Sequence, residues 1–511
     1  MQKVKKFFTK NLEDVVSLDL RALGIFRVFL GGIFLIDFLD RLKDVSIFYA
    51  SGGVGVVENV GLFNGTSFSL NFLNGDYRYQ AFILIVGATL SFLLLVGFKT
   101  RITTILLWII VISVQNRNFL ILQGGDDYMR ILLFWAMFLP VGVRFSYDYL
   151  KNKTEYKKLD NKSLSPVNIG LIFQIIFLYY FSALSKSDPI WNKNFTAIYY
   201  SLSLDIFVTW LGRILLTLKP LLVPLTAFVY YLEKYVGLLL IQPFGNWITR
   251  TIGIILIIGL HLGIGTTIDV GQFPWIAICG VMALMPTEAI DFAISKLEKN
   301  KYVNRVDLSK YIRKLEQYIP EKNPQNTIKL KKHIREILFL TGTIVISLFT
   351  LSVTFVSYIW NMNNNKANIE LIEELRQPFV FVRMDQLWAM FAPYPFTDDG
   401  WYVIQGNRFD GKAISLFGSN TKTNYEKFPD NYSQDFNNER WRKFMTNLYY
   451  ETYSSYRKQL LRYMCNEYNS DDSNSEKLES IEMHYMLQRT LPDFQTGDLQ
   501  NLDFGRVTCS T

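Results

Sequence analysis

The sequence contains few of the residues from which metal centres and nucleophilic sites are built. It has three cysteines and three histidines, with no Cys-x-x-Cys pair and no Gly-x-Ser-x-Gly motif. These absences exclude a zinc ribbon, a thioredoxin-type redox site and a serine hydrolase triad from the predictions. The chain opens with lysines but has no apolar core or small-residue cleavage site behind them, so we expect no cleaved signal peptide.

Charged residues are also scarce, and long uncharged runs take their place. Only 19% of the residues are charged, whereas 50% are hydrophobic, and the apolar runs end near Trp360. This composition is typical of a polytopic membrane protein with a soluble tail. The net charge of +8 lies in short Lys and Arg clusters between the apolar runs. That arrangement is typical of cytoplasmic loops, so we expect no nucleic-acid partner.

The apolar runs predict a polytopic α-helical membrane bundle of about nine spans, with a C-terminal extracytoplasmic α+β domain. If the N-terminus is cytoplasmic, every basic cluster falls on the inner side of the cell (inner) membrane. The lipid bilayer is therefore the first predicted partner. The predicted divisions are a cytoplasmic N-terminus at 1–19, a transmembrane domain at 20–286, a basic cytoplasmic linker at 287–335, a final transmembrane helix at 336–360 and the extracytoplasmic domain at 361–511.

Soluble signals begin after the last apolar run. An Asp-Gly pair within residues 401–417 separates two strand-like segments, which predicts a β-hairpin. Residues 438–468 carry aromatic and aliphatic side chains at helical spacing among many charges, which predicts helix. Cys465 and Cys509 both lie in this tail, and a disulfide between them requires an oxidising compartment.

One apolar helix delivers a lysine to the edge of the predicted membrane. From Val167 onward the chain is uncharged for about the 20 residues that a span requires, and Lys186 then precedes the aromatic Trp191. An ionisable group at membrane depth is by default a candidate for a functional site, and a desolvated lysine can act as a base. The alternative is that Lys186 snorkels from its helix end toward water.

Further polar residues converge on the same predicted outer side of the bundle. His261 is the second catalytic candidate. The candidates for binding a substrate or cofactor are Asn116, Arg117, Asp126, Arg130 and Trp191. The alternatives are a satisfied core histidine and ion pairs that only hold helices together. No second His or Cys stands at metal-ligand spacing, so no metal site is predicted.

Several segments together resemble the horizontally transferred transmembrane (HTTM) domain, the module shared with vitamin K-dependent gamma-glutamyl carboxylase. They are residues 23–32, Phe48-Tyr49, Gly52-Gly53-Val54, Gln115-Asn116-Arg117-Asn118, Gly124-Gly125-Asp126, residues 181–186 with Trp191, Leu260-His261-Leu262 and Phe273-Pro274-Trp275. The tail, with residues 388–393, 399–402 and 440–443, is similar to the soluble portion of bacterial members. The chain is also similar to SdpB-type membrane proteins, from a two-component system that matures a peptide toxin.

The resemblance implies a chemistry for the candidate residues. In the carboxylase, a lysine after the corresponding helix is the base on reduced vitamin K, whose oxygenation drives proton removal from a glutamate side chain. Lys186 is the position that matches this lysine, and His261 falls near a histidine of the family. A reduced quinone is the implied cofactor. Where the carboxylase has a histidine after an Asn-rich stretch, this chain has Gly125-Asp126-Asp127.

Two functions of different classes follow from the sequence. The first is a carboxylase-like membrane enzyme that modifies or matures an exported peptide, with Lys186 as its base. The second is a non-enzymatic membrane scaffold or export partner for a secreted peptide, in which the same charges only hold helices together. Replacement of Lys186 separates the two hypotheses, because only an enzyme loses activity while its fold and abundance stay intact.

Overall fold

The computed structural model describes residues 10–298, 332–365 and 373–509, apart from residues 59, 66, 419–423, 427–428, 430–431 and 475. Most of the predicted basic linker, residues 299–331, lies outside the described residues, as do residues 1–9 of the predicted N-terminal segment.

Long apolar helices form the first and larger part of the molecule. Within the described ranges, six helices are long and apolar enough to cross a membrane: Leu20–Lys43, Tyr77–Val96, Pro166–Ser185, Lys219–Ile241, Asn246–Thr267 and Leu340–Asn364. A bent pair, Phe273–Met282 and Thr287–Leu297, meets at 98° and makes seven if it counts as one span. The prediction of several membrane-length helices is confirmed, but the predicted number of about nine is larger than these helices supply.

Shorter helices account for the difference. Thr100–Arg117 and Gly124–Ala136 occupy two of the predicted spans. The first has polar residues at both ends, and the second is only 13 residues long, well short of a full crossing. The other helices are 10–16, Val45–Phe48, Tyr147–Lys151, Lys153–Tyr156, Pro189–Asn192, Ala197–Leu202, Trp210–Thr217, Thr287–Glu298, Glu373–Phe381, Glu439–Tyr449 and Ser454–Ser470, and the last long helix as a whole spans Lys332–Asn364.

Three of the long helices form the site described in the next subsection, and each is named here after one ionisable residue on it or directly after it. The lysine helix is Pro166–Ser185, which Lys186 follows; the glutamate helix is Lys219–Ile241; the histidine helix is Asn246–Thr267. Ser165 caps the lysine helix by accepting a hydrogen bond from the Val167 amide, and Pro166 occupies its first turn. Both residues favour a helix start, so the cap fixes where the helix begins and Lys186 follows its last turn.

Small residues and one buried arginine hold the bundle together. A Cβ atom added at Gly31 would lie 2.5 Å from the backbone nitrogen of Leu95. The helices that carry these two residues therefore approach each other closely at Gly31, where the first helix has no side chain. The guanidinium of Arg27 is buried and donates to the carbonyl oxygens of Leu94, Leu95 and Phe145. Arg27 is therefore a tether between helices, as its position within an apolar span indicates.

The C-terminal domain is built on an antiparallel sheet of five strands. The strands of the molecule are Leu18–Asp19, Phe63–Asn64, Ser67–Phe68, Lys162–Ser163, Asp398–Arg408, Ala413–Ser415, Leu478–Leu491, Gln495–Thr496 and Gln500–Thr508, of which the last five form this sheet. Leu478–Leu491 pairs with both Asp398–Arg408 and Gln500–Thr508. The predicted hairpin is confirmed, because Asp398–Arg408 pairs with Ala413–Ser415 across an Asp-Gly turn.

Helices cover this sheet and complete the α+β domain. The predicted helix over 438–468 is present as two helices, Glu439–Tyr449 and Ser454–Ser470. The Arg457 guanidinium lies 3.8 Å from the ring centre of Phe504, which packs the second helix onto the sheet. Cys465 of this helix is bonded to Cys509 just after the last strand, so the pairing considered from the sequence is present in the structure.

The two ends of the bundle differ in what they contact. We call one end of the bundle the basic end, and its contacts are made within the bundle itself. There the Lys99 amide donates to the Asp148 carboxylate, the Leu20 amide donates to the carbonyl oxygen of Asn161, and Lys162 pairs with Glu288 at 2.9 Å. The C-terminal domain contacts the other end, which we call the domain end. The contacts there include Asn438 with Asp44, Asn447 with the Leu120 carbonyl, Arg442 with Asp269, and Tyr199 with the Leu491 carbonyl.

Candidate active site

A large cavity lies at the domain end, between the bundle and the C-terminal domain. Its volume is about 840 Å³, within the range of sites that hold a small molecule or cofactor. Its walls come from the lysine, glutamate and histidine helices, from residues 387–391 and from helix Glu439–Tyr449. Most of the wall is apolar, with Leu, Ile, Val and Phe side chains from all three bundle helices.

Lys186 and Glu233 form an ion pair in this wall. Lys186 is 4% exposed and the Glu233 side chain 9% exposed, and the Lys186 ammonium contacts the Glu233 carboxylate directly. Ser182, one turn earlier on the lysine helix, accepts a further hydrogen bond from Lys186 at 3.3 Å. The lysine helix and the glutamate helix thus each contribute one member of a buried pair that can share a proton.

His261 lies on the same wall beside a tyrosine. The Tyr179 hydroxyl is 3.0 Å from the Nε2 atom of His261, and the ring of Phe273 packs edge-on against the imidazole. The Nδ1 atom of His261 is buried and has no hydrogen-bond partner among the described residues. A buried polar atom without a partner is costly, so His261 carries one unsatisfied ring nitrogen in a side chain that lines the cavity.

Trp191 joins Lys186 to the segment that leads into the C-terminal domain. Its ring lies 4.5 Å from the Lys186 Nζ atom, which is cation–π distance. Its indole nitrogen donates to the carbonyl oxygen of Phe391 at 2.8 Å. Trp388, three residues before Phe391, is buried and packs at a right angle against Tyr128. Residues 387–391 therefore close one side of the cavity.

The C-terminal domain adds two ionisable side chains to the cavity wall. Burial raises the pKa of Glu439 to about 7, and its carboxylate accepts a hydrogen bond from the Gln272 amide at 2.6 Å. Burial lowers the pKa of Lys443, one turn further along the same helix. Lys443 has no hydrogen bond or ion pair within the described part of the chain. Both groups line the cavity from the C-terminal domain, opposite the helices of the bundle.

Asp126 belongs to a different cluster, buried where the C-terminal domain meets the bundle. Arg41 donates to Asp37 at 2.8 Å and to Asp126 at 2.6 Å. Arg440 of the C-terminal domain inserts between the same two carboxylates and lies 3.0 Å from Asp126. All four side chains are at most 4% exposed. Two guanidiniums and two carboxylates compensate each other, so this ion cluster holds the domain on the bundle.

The remaining candidates also tie segments together. Arg130 donates to Gln115 at 2.5 Å and to the Asp385 carbonyl at 2.9 Å. Arg117 donates to the Tyr49 carbonyl at 2.8 Å. The Asn116 amide donates to the Phe68 carbonyl at 2.7 Å and its oxygen accepts from Arg383.

The structure therefore divides the predicted site into two groups. Lys186, His261 and Trp191 line the cavity. Asn116, Arg117, Asp126 and Arg130 lie outside its wall, within the residues that the structure describes, and engage neighbouring backbone or charges. The interhelical role that the sequence left open for the Asp126 and Arg130 group is the one that their contacts support.

Glu233 is one of the site residues that the sequence analysis missed, together with Tyr179, Glu439 and Lys443. The apolar run that precedes Glu233 ends at Leu232, and its charge made it look like the end of a span. The helix continues to Ile241, which places Glu233 inside it. A carboxylate within a long apolar helix is itself a signal for a functional site.

No metal site competes with this arrangement in the described ranges, where no group of three or more His, Cys, Asp or Glu side chains is placed to hold an ion. The chain matches no protein-family model, no curated protein and no solved structure. The resemblance to the HTTM domain and to SdpB-type proteins therefore stays a prediction.

Proposed function

We propose that this chain is a membrane-embedded, carboxylase-like enzyme that modifies or matures an exported peptide by proton abstraction. The observation that carries the proposal is the buried Lys186–Glu233 pair in the wall of a ligand-sized cavity. A buried ion pair is weak support for stability, because desolvation offsets most of the attraction between its charges. Its position in a cavity wall favours a chemical role over a structural one.

The pair provides a route by which Lys186 becomes a base. As an ammonium, Lys186 cannot accept a proton. Transfer of one proton from its Nζ atom to the Glu233 carboxylate leaves a neutral amine and a neutral acid, and a poorly solvated site stabilises two neutral groups relative to two charges. The free amine then accepts a proton from the substrate. The Trp191 ring, 4.5 Å away, stabilises the ammonium that results.

The cavity fits the reduced quinone that the sequence resemblance implies. Apolar helix faces surround most of it, and its polar side chains include Lys186, Tyr179 and His261. Tyr179 and His261 would hold the polar ring, and the apolar wall would hold the hydrocarbon part. When bound, a reduced quinone supplies the driving force for proton removal through its own oxygenation.

We further propose the predicted orientation in the cell (inner) membrane, with the N-terminus cytoplasmic and the C-terminal domain extracytoplasmic. The loops of the basic end support it: Lys99, Arg101, Arg144, Lys151, Lys153, Lys157, Lys158 and Lys162 lie in or beside them. Positive loops remain on the cytoplasmic side. In this arrangement Thr100–Arg117, Gly124–Ala136 and the bent pair complete about nine crossings together with the long helices.

The test compares Lys186→Met and Glu233→Gln with Lys234→Met. Lys234 follows Glu233 directly, lies outside the cavity wall and has its Nζ atom 5.5 Å and 5.6 Å from the ring centres of Tyr230 and Tyr235, so it is a matched control. The measurement is the intact mass of peptides encoded beside this protein, recovered from cells that express each variant at equal abundance. We expect the mass change of the peptide to disappear in the first two variants and to persist in Lys234→Met.

The mass of the product also identifies the chemistry. A gain of carbon dioxide indicates carboxylation, whereas a cleavage product indicates another maturation reaction at the same base. If Lys186→Met accumulates normally and the peptide is still matured, the enzyme proposal fails. The chain is then a scaffold or export partner, a role that the tethering contacts of Arg117, Asp126 and Arg130 would serve.

A further inference from the structure

The cavity wall has a gap on the lipid-facing side of the bundle. Four wall residues on the glutamate and histidine helices are exposed: Phe228 (49%), Ile255 (61%), Gly259 and Gly263. A Cβ atom added at Gly259 or at Gly263 would have no heavy atom within 4 Å. The glycines therefore leave open space where other residues would place side chains between the two helices.

The surroundings of this gap are apolar. The outward faces of both helices carry exposed Leu, Ile and Phe side chains beside it, including Leu262 and Ile252, and both helices qualify as membrane spans. The gap also lies within the span of the histidine helix and not at its ends. A helix surface of this composition faces hydrocarbon, so the gap connects the cavity with the bilayer interior.

The charges inside the cavity limit the polar part of a ligand. Charged wall residues form pairs, namely Lys186–Glu233, Arg442–Asp269 and Asp127–Arg130. The two that remain, Lys443 and Glu439, carry opposite signs. The wall thus offers hydrogen bonds from neutral groups such as Tyr179 and His261 but little net positive charge, which disfavours the phosphate of a phospholipid.

We propose that a neutral-headed amphiphile with one long hydrocarbon chain passes between the glutamate and histidine helices at Gly259 and Gly263, and that its chain remains in this gap when its head is bound. Chains longer than the cavity then extend into the bilayer, so the site selects for the head and tolerates variation in chain length. This inference does not require Lys186 to be a catalytic base.

Photolabelling of the full chain in nanodiscs tests the proposal. The probes are a benzoquinol with a diazirine-bearing farnesyl chain and a phosphatidylcholine with a diazirine-bearing acyl chain. The readout is cross-linking at three buried wall residues of the lysine helix, Leu178, Tyr179 and Ser182, which are at most 3% exposed, so that bulk lipid cannot label them. Cross-links to the exposed Leu348, on the last long helix, provide the internal standard.

The decisive variant is Gly259→Leu with Gly263→Leu, which places two large side chains in the gap at positions where an added Cβ meets no heavy atom within 4 Å. The matched control is Gly342→Leu. Gly342 is also exposed, and a Cβ atom added there would meet no heavy atom within 4 Å, but this glycine does not line the cavity. We expect the quinol probe to label these three buried residues in the wild type and the control, and this labelling to fall to the level of an unirradiated sample in the double variant.

Two results would overturn the proposal. Unchanged labelling in the double leucine variant would show that ligands reach the cavity by another route. Equal labelling by the phosphatidylcholine probe would refute the neutral head. If the double variant does not accumulate, Gly259→Ala and Gly259→Val must give a graded loss for the proposal to stand. Lys186→Met should label like the wild type, which separates failure of this inference from failure of the proposed chemistry.

Discussion

Replacing Arg440 by methionine tests whether the ion cluster holds the C-terminal domain on the bundle. Arg440 is 3% exposed and binds both Asp37 and Asp126. Methionine keeps most of the buried stem but leaves Arg41 alone with two buried carboxylates. Loss of one partner from a buried ion pair costs about 3–5 kcal/mol, because a charge remains without compensation. For a domain of this size that corresponds to a fall in Tm of roughly 10 °C.

The assay is thermal unfolding of the full chain in detergent, with limited proteolysis to detect release of the C-terminal domain. Arg376→Met is the control, because its partner Glu373 lies 3.2 Å away and both side chains are more than half exposed; such pairs contribute about 0–1 kcal/mol. Equal Tm values for the two variants would refute the reasoning. Asp37→Asn added to Arg440→Met should restore part of the loss, since it removes one uncompensated charge.

Two further predictions concern packing and pH. Gly31→Ala should lower the free energy of unfolding by about 1–3 kcal/mol, because the added Cβ would lie 2.5 Å from the Leu95 backbone. Gly32→Ala should not, because the nearest atom to its added Cβ would be 3.7 Å away. Equal Tm values of the two variants in detergent would contradict this prediction. Burial raises the pKa of Glu439 from its ordinary 4.5 to about 7. As the pH rises from about 4.5 to about 7, this carboxyl group ionises in the unfolded chain before it does so in the folded one, so the folded state loses stability over this range. Glu439→Gln should therefore be more stable than the wild type at pH 8 but not at pH 5, and parallel Tm values across this range would exclude the effect.

The sequence was informative where a local pattern decides the structure. Lys186 stands out because it ends a long uncharged run, and the Asp-Gly turn marks its hairpin because only a few residues favour that turn. Both features depend on neighbours along the chain.

Features that depend on distant partners were not predictable in this way. Arg440 lies in a charged helix, and nothing near it in sequence shows that its guanidinium meets Asp37, which is 403 residues away. For the same reason, Asp126 and Arg130 were predicted to bind a substrate or cofactor, although their partners are other segments of the chain. Glu233 was missed because the end of an apolar run is a poor measure of where a helix ends.

The ion cluster also sets an order of assembly. Asp37 and Asp126 enter the membrane region early in synthesis, yet their second cation is supplied by residue 440, after every long helix has been made. Until then Arg41 is shared between two carboxylates, and the cavity lacks the wall that residues 387–391 provide. A chain that stops before the C-terminal domain therefore lacks both the second cation of the cluster and one wall of the cavity.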